Sequence, residues 1–186
     1  MRMIWIAVLA YALVGPVFAA EIGDDGLHKS NWMRETFKDL REDLEEANAE
    51  GKRLMLLIEQ RGCIYCRKMH EEVFVVPEIS EMLEEKYFVV QINMFGDVEV
   101  TDFDGTTLPE KEMVKRWGAL FTPNLIFMSQ EVPADTTAVA AAVAQMPGAF
   151  GKHTTKNLLK WVLEEGYEGK ESFQKYHARK FNEQVQ

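Results

Sequence analysis

The only two cysteines of the chain, Cys63 and Cys66, are separated by two residues. An apolar run at residues 54–58 reads as a buried strand just before them, and apolar residues recur at helical spacing after them. A pair at a strand-to-helix junction lies beside the free N–H groups and the positive dipole end of the helix, which favour an anion. Because the thiolate is the reactive form of cysteine, this pattern predicts a reversible dithiol/disulfide redox centre.

Two other interpretations of the cysteine pair stay open. An inert structural disulfide would close a loop of only two residues, which removes little chain entropy and therefore stabilises little. A metal site could draw on Cys63, Cys66 and His70, but no second Cys/His pair lies nearby to complete a closed site. We therefore expect no metal at the pair, and dithiol chemistry needs no dissociable cofactor.

Charged and titratable residues near the pair are candidates for thiolate support or proton transfer. Arg67 adds positive charge next to Cys66, which favours a thiolate. Glu59 is the nearest carboxylate and could exchange a proton through water, although a solvated charge at the strand end is the favoured alternative. His70 follows Cys66 by four residues and shares its helical face, although a plain position on the helix surface is the favoured alternative.

The composition excludes some classes of protein. The chain has 186 residues, enough for one domain with a sizeable core. Its hydrophobic content of 47% and charged content of 27% are those of an ordinary globular protein. The formal net charge of −9 argues against a nucleic-acid-binding protein.

Residues 1–19 have the pattern of a secretory signal peptide. Arg2 provides the positive start, an apolar run follows at residues 3–14, and Val17 and Ala19 are the small residues before the cleavage site. An uncleaved membrane anchor is the alternative, but the apolar run is short for a span. We therefore expect cleavage after Ala19, no stable membrane insertion afterwards, and a location in the periplasm, where disulfides persist.

Hydrophobic periodicity predicts one α/β domain at residues 31–169, with a flexible lead-in at 20–30 and a helical tail at 170–186. The first helix is expected to run from Ser30 or Asn31 to about Glu50. Further strands are predicted at 87–92, 124–128 and, as an edge strand, 139–144. Further helices are predicted at 77–85 and 109–117, from Thr154 or Thr155 onward, and at 172–180.

Two local features stand out between the cysteines and the last strands. Residues 94–108 read as an inserted hairpin with the Asp104-Gly105 dipeptide at its turn. Thr122-Pro123 comes just before a buried strand, where a proline cannot donate to the ladder. That placement predicts a cis bond between Thr122 and Pro123.

The order of the elements, together with residues 63–66 and 117–123, resembles thioredoxins over roughly residues 50–166. This resemblance implies a central mixed sheet flanked by helices, in which Pro123 faces the disulfide and shapes a substrate groove with Thr122 and Tyr65. Two features depart from the family. Leu57 stands where thioredoxins have a buried aspartate, and the Trp-Cys-Gly-Pro-Cys signature is absent.

Residues 62–70, the insert segment 99–105 and the tail segment 173–176 resemble more closely the SoxW-type periplasmic thioredoxins, which accompany the bacterial sulfur-oxidation system. This resemblance implies a protein disulfide reductase in which Cys63 attacks the client and Cys66 resolves the mixed disulfide. It also implies a membrane thiol transporter as electron donor and a periplasmic, disulfide-bearing client protein. The alternatives are a disulfide oxidase or isomerase and a non-catalytic binding module or chaperone.

Overall fold

The computed structural model describes residues 20–185, so the predicted signal peptide lies outside the described residues. None of the helices in this range is long and apolar enough to cross a membrane. The strands are β1 Glu21–Ile22, β2 His28–Lys29, β3 Met33–Arg34, β4 Arg53–Glu59, β5 Tyr87–Asn93, β6 Glu99–Thr101, β7 Thr107–Pro109, β8 Asn124–Met128 and β9 Ala142–Pro147. The helices are α1 Leu40–Ala49, α2 Ile64–Lys68, α3 Pro77–Lys86, α4 Glu110–Arg116, α5 Ala138–Ala141, α6 Lys152–Leu163 and α7 Phe173–Val185.

A five-stranded mixed sheet in the order β3-β5-β4-β8-β9 forms the centre of the fold. Strand β4 runs parallel to β5 and antiparallel to β8, and all seven of its residues are buried. Successive side chains of a strand point to opposite faces. Met55 and Leu57 therefore join one core cluster, while Leu54, Leu56 and Ile58 join the other. Helices cover both faces, which confirms the predicted single α/β domain with a central mixed sheet flanked by helices.

The first helix begins about ten residues later than predicted. Helix α1 starts at Leu40, because the Asp39 carboxylate caps it by accepting the N–H groups of Arg41 (3.0 Å) and Glu42 (3.2 Å). Within the stretch predicted as the start of the helix, Met33 and Arg34 form β3 instead, which pairs with the edge of β5. Phe37, which lies within the predicted helix, precedes the observed one and is 94% exposed.

Residues 21–29 form a hairpin where the sequence predicted a flexible lead-in. Strands β1 and β2 are antiparallel, and an Asp-Gly dipeptide lies between them. The Asp25 carboxylate accepts the Leu27 N–H at 3.0 Å and the Lys29 Nζ at 2.8 Å, which holds the turn closed. The Leu27 side chain is buried in the domain. The hairpin is therefore attached to the core, which a composition rich in polar residues and glycine did not indicate.

The predicted insert hairpin is confirmed as β6 and β7. Their turn contains Asp104 and Gly105, and Gly105 has a φ of 80°, a conformation that glycine adopts without strain. Helix α4 follows directly after Pro109, as predicted. The insert is therefore a compact ribbon leading into the helix that ends at Trp117.

After β8, the predicted strand and helices are present, but some of them begin at other residues than predicted. Strand β9 is an edge strand, but helix α5 occupies the first half of the segment assigned to it. Helix α6 begins at Lys152, ahead of Thr154 and Thr155. Helix α7 forms the predicted tail and buries Tyr176.

Candidate functional site

Cys63 and Cys66 form a disulfide at the junction between β4 and α2, as predicted. Gly62 has a φ of 74°, which lets the chain turn sharply between strand and helix. Cys63 is the N-terminal cap of α2, and its Sγ accepts the Cys66 N–H at 2.9 Å. Cys63 is 7% exposed and Cys66 is 0% exposed. The first cysteine is therefore the sulfur that a partner can reach, and the second lies behind it.

The Thr122–Pro123 bond is cis, as predicted, and the threonine lies beside the disulfide. The Thr122 Oγ1 is 3.4 Å from the Cys63 Sγ, within hydrogen-bond distance of a sulfur atom. Exposed apolar side chains surround this point. They come from the residues between the cysteines and from those preceding Thr122, namely Ile64, Tyr65, Leu120 and Phe121. We call these four residues the apolar collar.

Glu59 is fully buried, so the favoured alternative of a solvated strand-end charge is wrong. Its Oε1 lies 2.9 Å from the His70 Nε2, and its Oε2 accepts the Gln91 Nε2 at 2.7 Å. The reason is the position of β4 in the sheet. A central strand with a partner on each side places even its last residue inside the protein, where a carboxylate needs hydrogen-bond donors.

His70 is also buried, so the favoured alternative of a helix-surface position is wrong. It lies in a π-helical turn, Met69–Val73, which continues α2. A wide turn of this kind changes the direction of the side chains that follow it. The His70 ring stacks on His28 with 4.5 Å between ring centroids and 11° between planes, and it meets Phe74 edge to face.

Sequence reasoning missed His28 and Gln91. His28 lies on β2, and burial is the main cause that lowers the pKa of its imidazole, with the neighbouring His70 as the second cause. Gln91 donates to the His28 carbonyl oxygen at 2.8 Å as well as to Glu59. A polar residue inside the otherwise apolar strand at 87–92 was the one available signal for Gln91. No local signal marked His28.

Two further predicted residues, Arg67 and Tyr65, lie on the surface of the site, whereas Pro123 is buried. Arg67 is exposed, and its backbone N–H donates to the Cys63 carbonyl at 3.0 Å. Tyr65 is exposed as part of the apolar collar, as expected for a residue facing a substrate. The structure thus brings Cys63, Cys66 and Thr122 together at an apolar surface, and it brings Glu59 to His70 in the protein interior.

The site can exchange a disulfide for two thiols. One sulfur is reachable, two hydrogen-bond donors are directed at it, and the other sulfur is buried three residues further along the chain. A second group of side chains could hold a metal ion, since His28, Glu59 and His70 each offer a ligand atom within 4.8 Å of the others.

A family model described as the thioredoxin-like domain matches residues 40–160, well over half of the chain. The chain is 24% identical over 121 residues to the thiol:disulfide interchange protein DsbD of Colwellia psychrerythraea. That match covers 65% of this chain and 18% of the relative, so the chain spans about a fifth of the length of this curated relative.

Two solved structures show the same fold. A thioredoxin-fold protein from Helicobacter pylori matches with a TM-score of 0.55 and 14% identity, covering 86% of this chain and 94% of its own. A thioredoxin from Thermus thermophilus matches with a TM-score of 0.52 and 22% identity, covering 69% of this chain and 86% of its own. The family match, the fold and the Cys-X-X-Cys pair agree with one another, and the chain belongs to the thioredoxin-like domain family.

Proposed function

We propose that this chain is a periplasmic thiol-disulfide oxidoreductase that reduces disulfides of partner proteins. The observation that carries the proposal is the asymmetry of the pair. Cys63 keeps 7% of its surface exposed, beside the apolar collar, and Cys66 is fully buried. An inert structural disulfide would not need hydrogen-bond donors directed at its outer sulfur, and it would not need an exposed apolar surface around it.

The reaction begins with the reduced pair. The Cys63 thiolate attacks one sulfur of the client disulfide, which forms a mixed disulfide and releases the other client sulfur as a thiolate that takes up a proton. Cys66 loses its proton and attacks the Cys63 Sγ, which releases the second client thiol. The client gains two electrons and two protons, and Cys63 and Cys66 end as the disulfide seen in this structure.

The surrounding residues support these steps. The Cys66 N–H and the Thr122 hydroxyl stabilise negative charge on Cys63. Pro123 and Tyr65 shape the groove for the client chain, and Arg67 favours a thiolate through its charge. Glu59 and His70 are buried and in contact with each other, and we assign them the role of taking the Cys66 proton.

The direction of electron flow rests on the resemblance to SoxW-type thioredoxins, and the similarity to a thiol:disulfide interchange protein is compatible with it. We propose a client of the sulfur-oxidation system and a membrane thiol transporter as donor. The expected reduction potential lies between about −280 and −200 mV, which suffices for an exposed regulatory disulfide but not for a typical structural one.

A disulfide oxidase is the second candidate, because the same two hydrogen bonds to Cys63 stabilise the reduced form, and a stabilised reduced form makes the pair a stronger oxidant. Equilibration of the purified protein in glutathione buffers separates the candidates. A potential in the range above supports the reductase, and a value near about −120 mV supports the oxidase.

The state of the pair in cells gives an independent test. Trapping with a mass-tagged alkylating reagent should find the pair mostly reduced while the membrane donor is present and oxidised after the donor is deleted. A pair that is oxidised in the presence of a working donor would contradict the reductase. Cys66→Ser should accumulate mixed disulfides, from which the client can be identified.

A further inference from the structure

We propose that His28, Glu59 and His70 form a binding site for a divalent transition-metal ion of the Zn²⁺ class. The three side chains come from different parts of the chain, namely the N-terminal hairpin, the end of β4 and the π-helical turn. Each offers one ligand atom, and these atoms all lie within 4.8 Å of one another. The inference does not depend on the redox function, because it uses neither cysteine.

The donor set selects the class of metal. Two imidazoles and one carboxylate suit Zn²⁺, Co²⁺, Ni²⁺ and Cu²⁺, whereas Mg²⁺ and Ca²⁺ prefer sets made of oxygen atoms alone. Three protein ligands of this composition leave a further coordination position for water or an external ligand. The proposed site therefore differs from the one considered at sequence level, which would have used Cys63 and Cys66.

The three ligand atoms must rearrange around the ion. The His70 Nε2 and the Glu59 Oε1 are already 2.9 Å apart. Metal–ligand bonds of about 2.0–2.1 Å in a tetrahedron place ligand atoms about 3.3 Å from one another. His28 is the ligand that would move, since it is only partly buried and lies on a two-residue strand of the hairpin. Its ring stacks on His70 with 4.5 Å between centroids and 11° between planes, so it must also rotate, because imidazole lone pairs lie in the plane of the ring.

Gln91 holds two of the ligands in place. Its Nε2 donates to the Glu59 Oε2 at 2.7 Å and to the His28 carbonyl at 2.8 Å, while its Oε1 accepts the Lys29 Nζ at 2.7 Å. This leaves the Glu59 Oε1 directed at His70. Orientation of a ligand carboxylate by a neighbouring amide is typical of metal sites in proteins.

The other ring nitrogen of His70 has no protein partner. Among residues 20–185, the buried His70 Nδ1 makes no hydrogen bond. One ion cannot bind both nitrogens of a ring, so an ion at the Nε2 beside Glu59 leaves the Nδ1 to a water molecule. A cleft of about 570 Å³, lined by Lys29, Trp32 and Phe74 among others, reaches His70 from the surface and offers a path for an ion.

Metal binding and proton transfer would use the same lone pairs of Glu59 and His70. A bound ion would therefore hold both side chains and withdraw them from proton exchange with Cys66. The metal test is made on the oxidised protein. Neither sulfur is then a free thiol, so the cysteines cannot bind the ion.

The test is titration of untagged, oxidised protein with ZnCl₂ by calorimetry, together with Co²⁺ absorption spectroscopy as a report on coordination. We expect one Zn²⁺ per chain and a Co²⁺ spectrum with d–d bands. His28→Ala should weaken Zn²⁺ binding by more than about tenfold, and Gln91→Ala by about 10–100-fold. His153→Ala is the matched control, because His153 is an exposed histidine in α6, and this variant should bind like the parent protein.

Absence of Zn²⁺ binding, or binding that His28→Ala leaves unchanged, would overturn the proposal. Loss of binding in His153→Ala but not in His28→Ala would place any ion elsewhere and would also overturn it. Glu59→Gln could fail to fold because Glu59 is fully buried, so the partly buried His28 provides the deciding variant. The reduction potential, measured with a chelator present, is unaffected by these outcomes and tests the redox function separately.

Discussion

The indole Nε1 of Trp117 donates a hydrogen bond of 2.8 Å to the buried Asp102 carboxylate. Asp102 lies in the insert hairpin, and Trp117 ends the helix that leads to Thr122 and the cis-proline. The same carboxylate accepts the Ala138 N–H at 2.8 Å. The insert is thus joined through one side chain to the helix that leads to Thr122 and Pro123.

Asp102→Ala should destabilise the fold strongly. The substitution leaves the Trp117 Nε1 and the Ala138 N–H without a buried acceptor and removes one partner of an ion pair with Arg116 (2.8 Å). A buried donor left without an acceptor costs about 1–3 kcal/mol in free energy of unfolding, and the substitution leaves two of them. Urea denaturation measures the change. Asp104→Ala is the control, since Asp104 also pairs with Arg116 but at the exposed turn, and an equal loss in both variants would contradict this assignment.

Cys63 should react with iodoacetamide much faster than Cys66 in the reduced protein. Of the two, only Cys63 keeps any exposed surface, and its Sγ accepts hydrogen bonds from an N–H and a hydroxyl group. Mass spectrometry after brief alkylation gives the two rates. Cys66→Ser should trap clients as mixed disulfides, whereas Cys63→Ser should trap few. Equal alkylation rates would show that the roles of the two cysteines are not separated.

Thr122→Val should slow the alkylation of Cys63 at neutral pH. The substitution preserves the shape of the side chain but removes the hydroxyl that lies 3.4 Å from the Cys63 Sγ. A hydrogen bond worth about 1 kcal/mol changes the thiolate population, and with it the rate, by about fivefold. Thr107→Val on the exposed insert strand should leave the rate unchanged. An unaltered rate in Thr122→Val would mean that the hydroxyl does not stabilise the thiolate.

Stability should fall as the pH rises through the range in which Asp43 ionises. Burial raises the pKa of Asp43 to about 7, from an ordinary value of 3.8. Between these values the folded protein keeps a proton that the unfolded chain releases, so the free energy of unfolding decreases with increasing pH. Above pH 7, ionisation of the buried Asp43 lowers the free energy of unfolding by up to about 4 kcal/mol.

Asp43→Asn stays uncharged and should therefore unfold at a higher temperature than the parent protein at pH 8. The difference should shrink towards pH 4, where Asp43 is protonated in the folded protein and partly protonated in the unfolded chain. Thermal unfolding followed by circular dichroism at both pH values measures it. Glu42→Gln, at the exposed neighbouring position, serves as the control for removing one acidic charge. A stabilisation that is the same at both pH values would contradict the role of burial.

The parts of the site that were predicted correctly have strong local signals. The strand-to-helix position of Cys63 follows from an apolar run and helical spacing that flank it within the same stretch of chain. The insert turn follows from Asp104 and Gly105, because glycine tolerates a positive φ. The cis bond before Pro123 follows from a proline placed just ahead of a buried strand. Each depends on residues that are neighbours in sequence.

The sequence by itself determined the position of the cysteine pair, the α/β class and the cis bond before Pro123, because steric limits and hydrophobic periodicity act within a few residues. Only the tertiary structure decided the buried polar group formed by Glu59, His70 and His28. Glu59 is inside because β4 is central in the sheet, and His70 reaches it from a π-helical turn. His28 joins them from a hairpin about 30 residues before Glu59. Contacts between segments this far apart depend on how the layers pack, and no local pattern encodes that packing.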